Sequence, residues 1–381
     1  MRFRKYLALF LFLTTLCILV GPATAVGSQG RWQVTTVSEN IWYYPFHSIV
    51  FDKNDVPHVS YRVNYTQEMR HGWKSGATWN SERIGTSWGT FTTSIAVGPD
   101  GNPAVSYGDG IYFGNLMYAT NASGSWNSTI VAHGTWADAG QFSSLAFDKR
   151  GSPHITYNDG QIYATLYYAG LNTTSGKWEF SLIDDDQPYT GDAGYSSSLK
   201  FDSNNNPHVA YISDDPWGLR YATSSDGGVN WTVTKLDEVK RRDYFSRTYT
   251  GLSLALDSRG YPHISYLNQT TNDNAPASLL YTSWNGTAWN NETVALLQKR
   301  DLWASLAIDA RDIPHIAYCD RANSAVMYAT RSPNGIWSSQ PIPQDPANYR
   351  LVSLAMNSAG RPGIAYYDLK SLSLKYAEWV E

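Results

Sequence analysis

The chain has 381 residues, a formal net charge of −4 at pH 7 and 14% aromatic residues. This acidic balance disfavours a general nucleic-acid binder, because neutralising phosphates requires a basic surface. No charge run or low-complexity tract divides the sequence, which favours one folded domain after the N-terminal leader.

The leader, residues 1–25, is typical of a cleavable secretory signal. Arg2, Arg4 and Lys5 precede an apolar run, and small residues end at Ala25. The run is shorter than the roughly 20 residues that span a bilayer. We predict a secreted or cell-surface protein with no stable membrane span after cleavage, a retained N-terminal anchor being the alternative. Eight Asn-x-Ser/Thr sequons indicate a glycoprotein if the host modifies them: Asn64, Asn121, Asn127, Asn172, Asn230, Asn268, Asn285 and Asn291.

One motif then recurs seven times, and its clearest copy is SLAFDKRGSPHITY at residues 144–157. The motif proline returns about every 50 residues, the period of a four-stranded propeller blade. The motif prolines are Pro57, Pro103, Pro153, Pro207, Pro262, Pro314 and Pro362.

Each repeat predicts four strands. In residues 144–148, Leu145 and Phe147 alternate with smaller or polar residues, which is the strand period. A turn leads into a second strand at 154–157, and a third follows at 166–169. A strand carrying a tryptophan completes the blade.

The tryptophan repeat is out of phase with the proline repeat. Trp32 precedes the first proline motif, and no such tryptophan follows the last one. We therefore predict that residues 31–37 complete the last blade, which otherwise ends after its third strand at 374–379. The result is an all-β, seven-bladed propeller over residues 26–381 that leaves no long open edge. The seven tryptophans are Trp32, Trp79, Trp126, Trp178, Trp231, Trp289 and Trp337.

Five repeats contain an aspartate six residues before a histidine, and two repeats lack both residues. Joint presence and joint loss predict a pair bonded across the first hairpin, because either partner buried alone costs about 1–3 kcal/mol. We interpret these histidines as structural and predict no metal and no cofactor. The pairs are Asp52/His58, Asp148/His154, Asp202/His208, Asp257/His263 and Asp309/His315.

Residues 224–231, SSDGGVNW, fit the Ser-x-Asp-x-Gly-x-x-Trp pattern of the Asp-box and fall between a predicted third and fourth strand. The mature chain resembles secreted Asp-box (BNR-like) propellers, which include glycosidases, polysaccharide lyases and lectins. This resemblance implies the fold rather than a chemistry. The arginine triad and the Tyr-Glu pair of sialidases have no counterpart that we can place, so sialidase activity is not expected.

In a propeller, the connections from fourth to first strand and from second to third strand share one face, which we call the loop face. In this chain these connections are rich in aromatic and charged residues, which suit sugar rings or a surface protein as partner. A structural alternative is that the tryptophans fill gaps and stiffen long loops. The predicted ligand-binding residues are Trp42, Trp88, Trp136, Tyr195, Trp217, Arg241, Arg242, Trp303 and Tyr349.

These observations favour a secreted binding module that recognises a glycan or polysaccharide through the loop face. The alternatives are a polysaccharide lyase or glycoside hydrolase using that face, and a protein-interaction scaffold at the cell surface. His133 and His47 lie outside the repeat histidines and map to the loop face, which makes them the catalytic candidates. The sequence leaves the question of catalysis open.

Overall fold

The computed structural model describes residues 30–41, 46–63, 66–88, 92–110, 113–134, 139–159, 165–184, 193–214, 217–237, 251–269, 276–298, 303–343 and 349–381. These residues form strands and connections without a helix, and none of them forms a helix that is long and apolar enough to cross a membrane. The strands pair into seven antiparallel four-stranded sheets, which confirms the predicted seven-bladed propeller.

The blades follow one another in chain order, and in blades 1 to 6 the chain runs from the first strand to the fourth. Blade 1 has β2 (His47–Phe51), β3 (Pro57–Val63), β4 (Glu68–Ser75) and β5 (Thr78–Thr86). Blade 2 has β6 (Thr93–Val97), β7 (Pro103–Gly108), β8 (Leu116–Thr120) and β9 (Asn127–Ala132). Blade 3 has β10 (Gln141–Phe147), β11 (Pro153–Asn158), β12 (Leu166–Asn172) and β13 (Lys177–Asp184). Blade 4 has β14 (Ala193–Phe201), β15 (Pro207–Asp214), β16 (Trp217–Thr223) and β17 (Thr232–Asp237).

Blade 5 has β18 (Ser253–Leu256), β19 (Pro262–Gln269), β20 (Ala277–Trp284) and β21 (Trp289–Leu297). Blade 6 has β22 (Ala304–Ile308), β23 (Pro314–Asp320), β24 (Ala325–Arg331) and β25 (Trp337–Pro341). Blade 7 has β26 (Tyr349–Met356), β27 (Pro362–Asp368) and β28 (Ser373–Val380), and β1 (Arg31–Ser38) is its fourth strand.

The first strands of neighbouring blades contact one another and form a closed inner ring around the axis. A serine in the middle of these strands links one blade to the next. For example, Ser144 Oγ accepts a hydrogen bond from Leu199 N at 3.0 Å, and Ser198 Oγ accepts from Leu254 N at 3.1 Å. The ring is therefore stabilised by side-chain to backbone bonds between strands that do not pair in a sheet.

The core consists of seven apolar clusters, and each cluster joins two adjacent blades. A fourth-strand tryptophan packs edge-on against a third-strand tyrosine of the preceding blade, an arrangement that favours aromatic pairs. The ring centroids lie 5.1–5.5 Å apart in Trp32–Tyr328, Trp79–Tyr376, Trp178–Tyr118, Trp231–Tyr168, Trp289–Tyr221 and Trp337–Tyr281. In blade 1 the partner is His71, which contacts Trp126 at 5.2 Å.

The N-terminal strand closes the ring as predicted. β1 pairs antiparallel with β28 from Arg31 opposite Val380 to Ser38 opposite Leu374. The two ends of the propeller are thus held in one sheet, and the edge that β28 would otherwise expose is covered.

The predicted Asp–His pairs are present in five blades, but their geometry differs from the prediction. The aspartate Oδ2 lies 3.5–3.7 Å from the histidine Nε2, which is longer than a normal hydrogen bond. The other carboxylate oxygen holds the turn: Asp148 Oδ1 accepts from Arg150 N and Ser152 N at 2.9 and 2.8 Å. The imidazole Nδ1 bonds to a third-strand tyrosine hydroxyl in four blades, through Tyr168, Tyr221, Tyr281 and Tyr328.

The turn at residues 224–231 connects β16 to β17. Asp226 Oδ1 accepts hydrogen bonds from Ser224 Oγ and Asn230 N at 2.7 and 2.9 Å, and these bonds lower the pKa of the Asp226 carboxyl. Gly227 and Gly228 have φ of 79° and 96°, so both positions require left-handed backbone that suits glycine. Trp231 Nε1 donates to Gly228 O, which anchors the turn to the fourth strand.

Candidate functional site

The structure describes only some of the residues that the sequence predicted to bind a ligand or to act in catalysis at the loop face. Trp42, Trp136, Arg241 and Arg242 lie outside the described residues. Tyr195, Trp217 and Tyr349 lie in β14, β16 and β26, and of these three residues the structure describes the backbone. Trp88, Trp303, His47 and His133 are described in full.

Trp88 presents its indole to solvent on the loop face. Its side chain is 58% exposed, in contrast to the half-buried tryptophans of the fourth strands. Two backbone contacts fix the segment that carries it: Trp88 N donates to Asp109 O at 3.0 Å, and Ser87 N donates to Gln67 O at 2.8 Å. Arg62 Nε also donates to Ser87 O at 2.9 Å. The exposed indole therefore belongs to a backbone segment that these three hydrogen bonds hold in place.

Asp109 and Asn115 orient His133 beside this segment. Asp109 accepts from Asn115 N and Asn115 Nδ2 at 2.7 and 3.0 Å. Because Nδ2 points at the carboxylate, the amide oxygen of Asn115 faces His133 and accepts from its Nδ1 at 3.0 Å. His133 is exposed, and in the neutral imidazole this hydrogen bond places the lone pair on Nε2. Such an imidazole has the arrangement of a hydrogen-bond acceptor or general base.

A pocket of about 530 Å³ borders Trp88 between blades 1 and 2. Its lining combines aromatic, aliphatic and carboxylate groups. The lining includes Ile84, Thr86, Trp88, Tyr107, Asp109 and Met117.

Trp303 and His47 lie where the loop face meets the axial channel. The Trp303 ring is half-buried, stacks edge-on against Phe46 at 5.8 Å, and packs against the cluster between blades 6 and 7. His47 Nε2 donates to the carbonyl of Ala365 at 3.0 Å, which ties blade 1 to blade 7. Both side chains thus have packing or bridging contacts between blades, whereas Trp88 and His133 are exposed.

A second polar cluster joins blades 3 and 4 at the loop face. Asp184 Oδ2 accepts from Tyr211 OH at 2.5 Å and forms an ion pair with Arg220 at 2.6 Å. Burial raises the pKa of Tyr211 well above its ordinary value. These groups neutralise one another, so the cluster stabilises the start of the connection after β13.

Sequence reasoning missed Asp109, Asn115 and Arg62. The sequence offers one signal, because an aspartate follows the second strand in both blade 2 (Asp109) and blade 3 (Asp159). In the structure both carboxylates accept from a backbone N–H six residues further on: Asp109 from Asn115 N, and Asp159 from Thr165 N at 3.0 Å. A recurring aspartate after the second strand therefore marks a fixed connection. Among the described residues, no group of three or more His, Cys, Asp or Glu side chains is arranged to hold a metal ion.

The architecture defines this protein as a seven-bladed β-propeller with a polar and aromatic loop face. No protein-family model matches the chain, and no curated protein matches it in sequence. Solved propeller structures do resemble it in fold.

Three solved structures illustrate this likeness. An ulvan lyase, described as a polysaccharide lyase of family PL25 and bound to a GlcA(1-4)Rha3S fragment, has a TM-score of 0.64 and 13% identity over 90% of this chain and 95% of that chain. The polysaccharide lyase Uly1 has a TM-score of 0.61 and 9% identity over 88% and 89%. AofleA from Arthrobotrys oligospora has a TM-score of 0.52 and 10% identity over 83% and 90%. At these identities the likeness establishes the fold alone.

Proposed function

We propose that this protein is a secreted or cell-surface module that binds a glycan or polysaccharide through its loop face. The observation that carries the proposal is Trp88, an exposed indole on a fixed segment beside the polar groups of Asp109, Asn115 and His133. A flat aromatic face stacks on the C–H face of a sugar ring, and the adjacent polar groups satisfy its hydroxyls.

The wider binding surface in this proposal includes the loop-face residues named from the sequence. From their place in the sequence, the further members of this surface in the proposal are Trp42, Trp136, Tyr195, Trp217, Arg241, Arg242, Trp303 and Tyr349. The arginines would favour an acidic sugar, because a guanidinium binds a carboxylate or sulfate in a bidentate manner. The net charge of −4 argues against a nucleic-acid partner.

Catalysis at the same place is the second candidate, and the hydrogen bond from His133 to Asn115 favours it. A polysaccharide lyase needs a base next to the sugar, and His133 offers a lone pair at Nε2 when its imidazole is neutral. Two solved structures of similar fold are polysaccharide lyases. The binding proposal does not depend on this step.

The test is a polysaccharide and glycan array probed with residues 26–381 while each well is assayed for released sugar. Trp88→Ala should weaken binding about tenfold or more at an unchanged melting temperature, because it removes one stacking platform from the surface. Phe180→Ala is the matched control, since Phe180 is 50% exposed on β13, outside the loop face. Equal loss in both variants would contradict the proposal.

The release assay separates the two candidates. Binding without release supports a lectin-like module, and release that disappears in His133→Ala supports a lyase or hydrolase that uses His133. If the protein neither binds any glycan on the array nor releases sugar, both candidates are overturned and a protein partner at the cell surface is favoured.

A further inference from the structure

The seven first strands enclose an axial cavity of about 650 Å³. Each strand contributes a serine, and the position two residues further along is alanine in five blades and Val50 in blade 1. In blade 4 this position is Lys200. The serines are Ser48, Ser94, Ser144, Ser198, Ser253, Ser305 and Ser353, and the alanines are Ala96, Ala146, Ala255, Ala307 and Ala355.

Lys200 is a cation without a partner among the described residues. No hydrogen bond or ion pair joins its ammonium group to any of them, and those that line the cavity include no carboxylate. The other titratable side chain in the described lining is His47, which is bonded to Ala365 O. The Lys200 side chain is exposed to the space of the cavity but is surrounded by protein, and this desolvation lowers its pKa.

The serine hydroxyls provide hydrogen-bond donors near this cation. Ser144 Oγ and Ser198 Oγ each accept from a backbone N–H of the next blade, which leaves their hydroxyl protons to be donated elsewhere. Ser253 differs, because its Oγ donates to Leu306 O at 3.3 Å. Ser198 and Lys200 are two residues apart on one strand, so both side chains lie on the same side of β14.

We propose that the axial cavity binds one small oxyanion, such as sulfate or phosphate, between the Lys200 ammonium group and the hydroxyls of the serine ring. The anion supplies the negative charge that would pair with the Lys200 ammonium group. The small alanine side chains at the equivalent positions of five other blades leave space for the anion in the cavity. This site is separate from the Trp88 surface and does not depend on the proposed function.

The test compares sodium sulfate with sodium chloride at equal ionic strength and follows the melting temperature and the heat of binding. Sulfate should raise the melting temperature of the wild type in a saturable way. Lys200→Ala introduces the residue of five other blades, so the variant should fold and should lose at least about tenfold in sulfate affinity. The same measurements with sodium phosphate and with sodium acetate show whether the site prefers a tetrahedral oxyanion to a carboxylate.

A second variant uses the equivalence of the seven first strands, because Ala146 of blade 3 occupies the position that Lys200 has in blade 4. Ala146→Lys combined with Lys200→Ala moves the ammonium group to the equivalent position of blade 3, and saturable sulfate binding should return. The proposal is overturned if the wild type shows no saturable response to sulfate or phosphate, or if Lys200→Ala responds as the wild type does.

Discussion

At the scale of single residues, His71 is the position at which blade 1 departs from the other six. The equivalent third-strand residue elsewhere is a tyrosine. His71 Nε2 bonds to His58 Nδ1 at 2.8 Å, and its Nδ1 bonds to Glu82 Oε1 at 3.1 Å. Trp126 Nε1 donates to the same carboxylate oxygen at 2.7 Å. Blade 1 therefore replaces a tyrosine hydroxyl with a second imidazole, whose ordinary pKa of about 6.5 is far below that of a tyrosine.

This substitution predicts a local pH dependence of stability. Burial lowers the pKa of His71 from 6.5 to about 4. The unfolded chain therefore takes up a proton first, so the contribution of His71 to stability is complete above pH 6.5 and is lost as the pH falls from about 6.5 to about 4. His71→Tyr should remove this loss, which amounts to at most about 3 kcal/mol at pH 4.

Urea unfolding of both proteins at several pH values between 4 and 8 measures the effect. The free energy of unfolding of the wild type should fall more steeply with acid than that of His71→Tyr, while above pH 7 the two curves should run parallel. Identical slopes below pH 6.5 would show that His71 is not the group responsible.

The histidines also show what a single sequence reveals at residue scale. The joint occurrence of aspartate and histidine predicted the pairing because both residues repeat at a constant spacing. The stronger partner of the imidazole, the third-strand tyrosine, was missed because Leu-x-Tyr-Ala already reads as an ordinary strand pattern. Its hydroxyl direction depends on the register between β15 and β16, which sequence spacing alone does not specify.

At the scale of elements, the Asp–His–Tyr contacts stabilise the first hairpin of blades 3, 4, 5 and 6 and join it to the third strand. In blade 4, Asp202 holds the turn through Asn204 N and Asn206 N, both at 2.8 Å, and His208 contacts Asp202 and Tyr221. Burial lowers the pKa of His208, so the imidazole is neutral at pH 7 and serves as a hydrogen-bonding group within the sheet.

We expect His208→Ala to lower the free energy of unfolding by about 1–3 kcal/mol at pH 7.5, because the buried Tyr221 hydroxyl loses its imidazole partner. Ligand binding at the loop face should not change, since the hairpin turn lies at the opposite end of the blade. Chemical denaturation measures the stability. A stable variant that had lost its ligand would contradict the structural role.

The strands could be predicted from the sequence, whereas the site on the loop face could be predicted only in part. The four strands of each blade were predicted because burial between two neighbouring blades imposes one pattern seven times. The loop face has no such constraint, because each connection differs in length and composition. Trp88 could be named from its place in the chain, but Asn115 gains its role only through the pairing of β8 with β9, which sets Asn115 beside His133.

At the scale of the whole molecule, the ring is held closed at a seam in blade 7, where β1 pairs with β28. Trp32 in β1 packs against Tyr328 of blade 6 and Trp379 of β28, at 5.2 and 5.4 Å. A further link joins the turns of blades 7 and 1, where Asp55 accepts from Ser358 N and Ser358 Oγ at 2.7 and 2.6 Å. In the other six blades the chain itself continues from the third strand to the fourth, whereas the seam depends on non-covalent contacts.

The seam should therefore respond to mutation differently from the rest of the ring. Trp32→Ala and Trp178→Ala remove equivalent half-buried tryptophans, and each should lower the free energy of unfolding by about 1–3 kcal/mol. Trp32→Ala should in addition release β1 and expose the edge of β28, which is a template for pairing with another molecule. Light scattering of both variants below their melting temperatures should then show concentration-dependent association for Trp32→Ala alone. Two monomeric variants would show that the remaining β1 pairing and the Asp55–Ser358 link suffice to keep the ring closed.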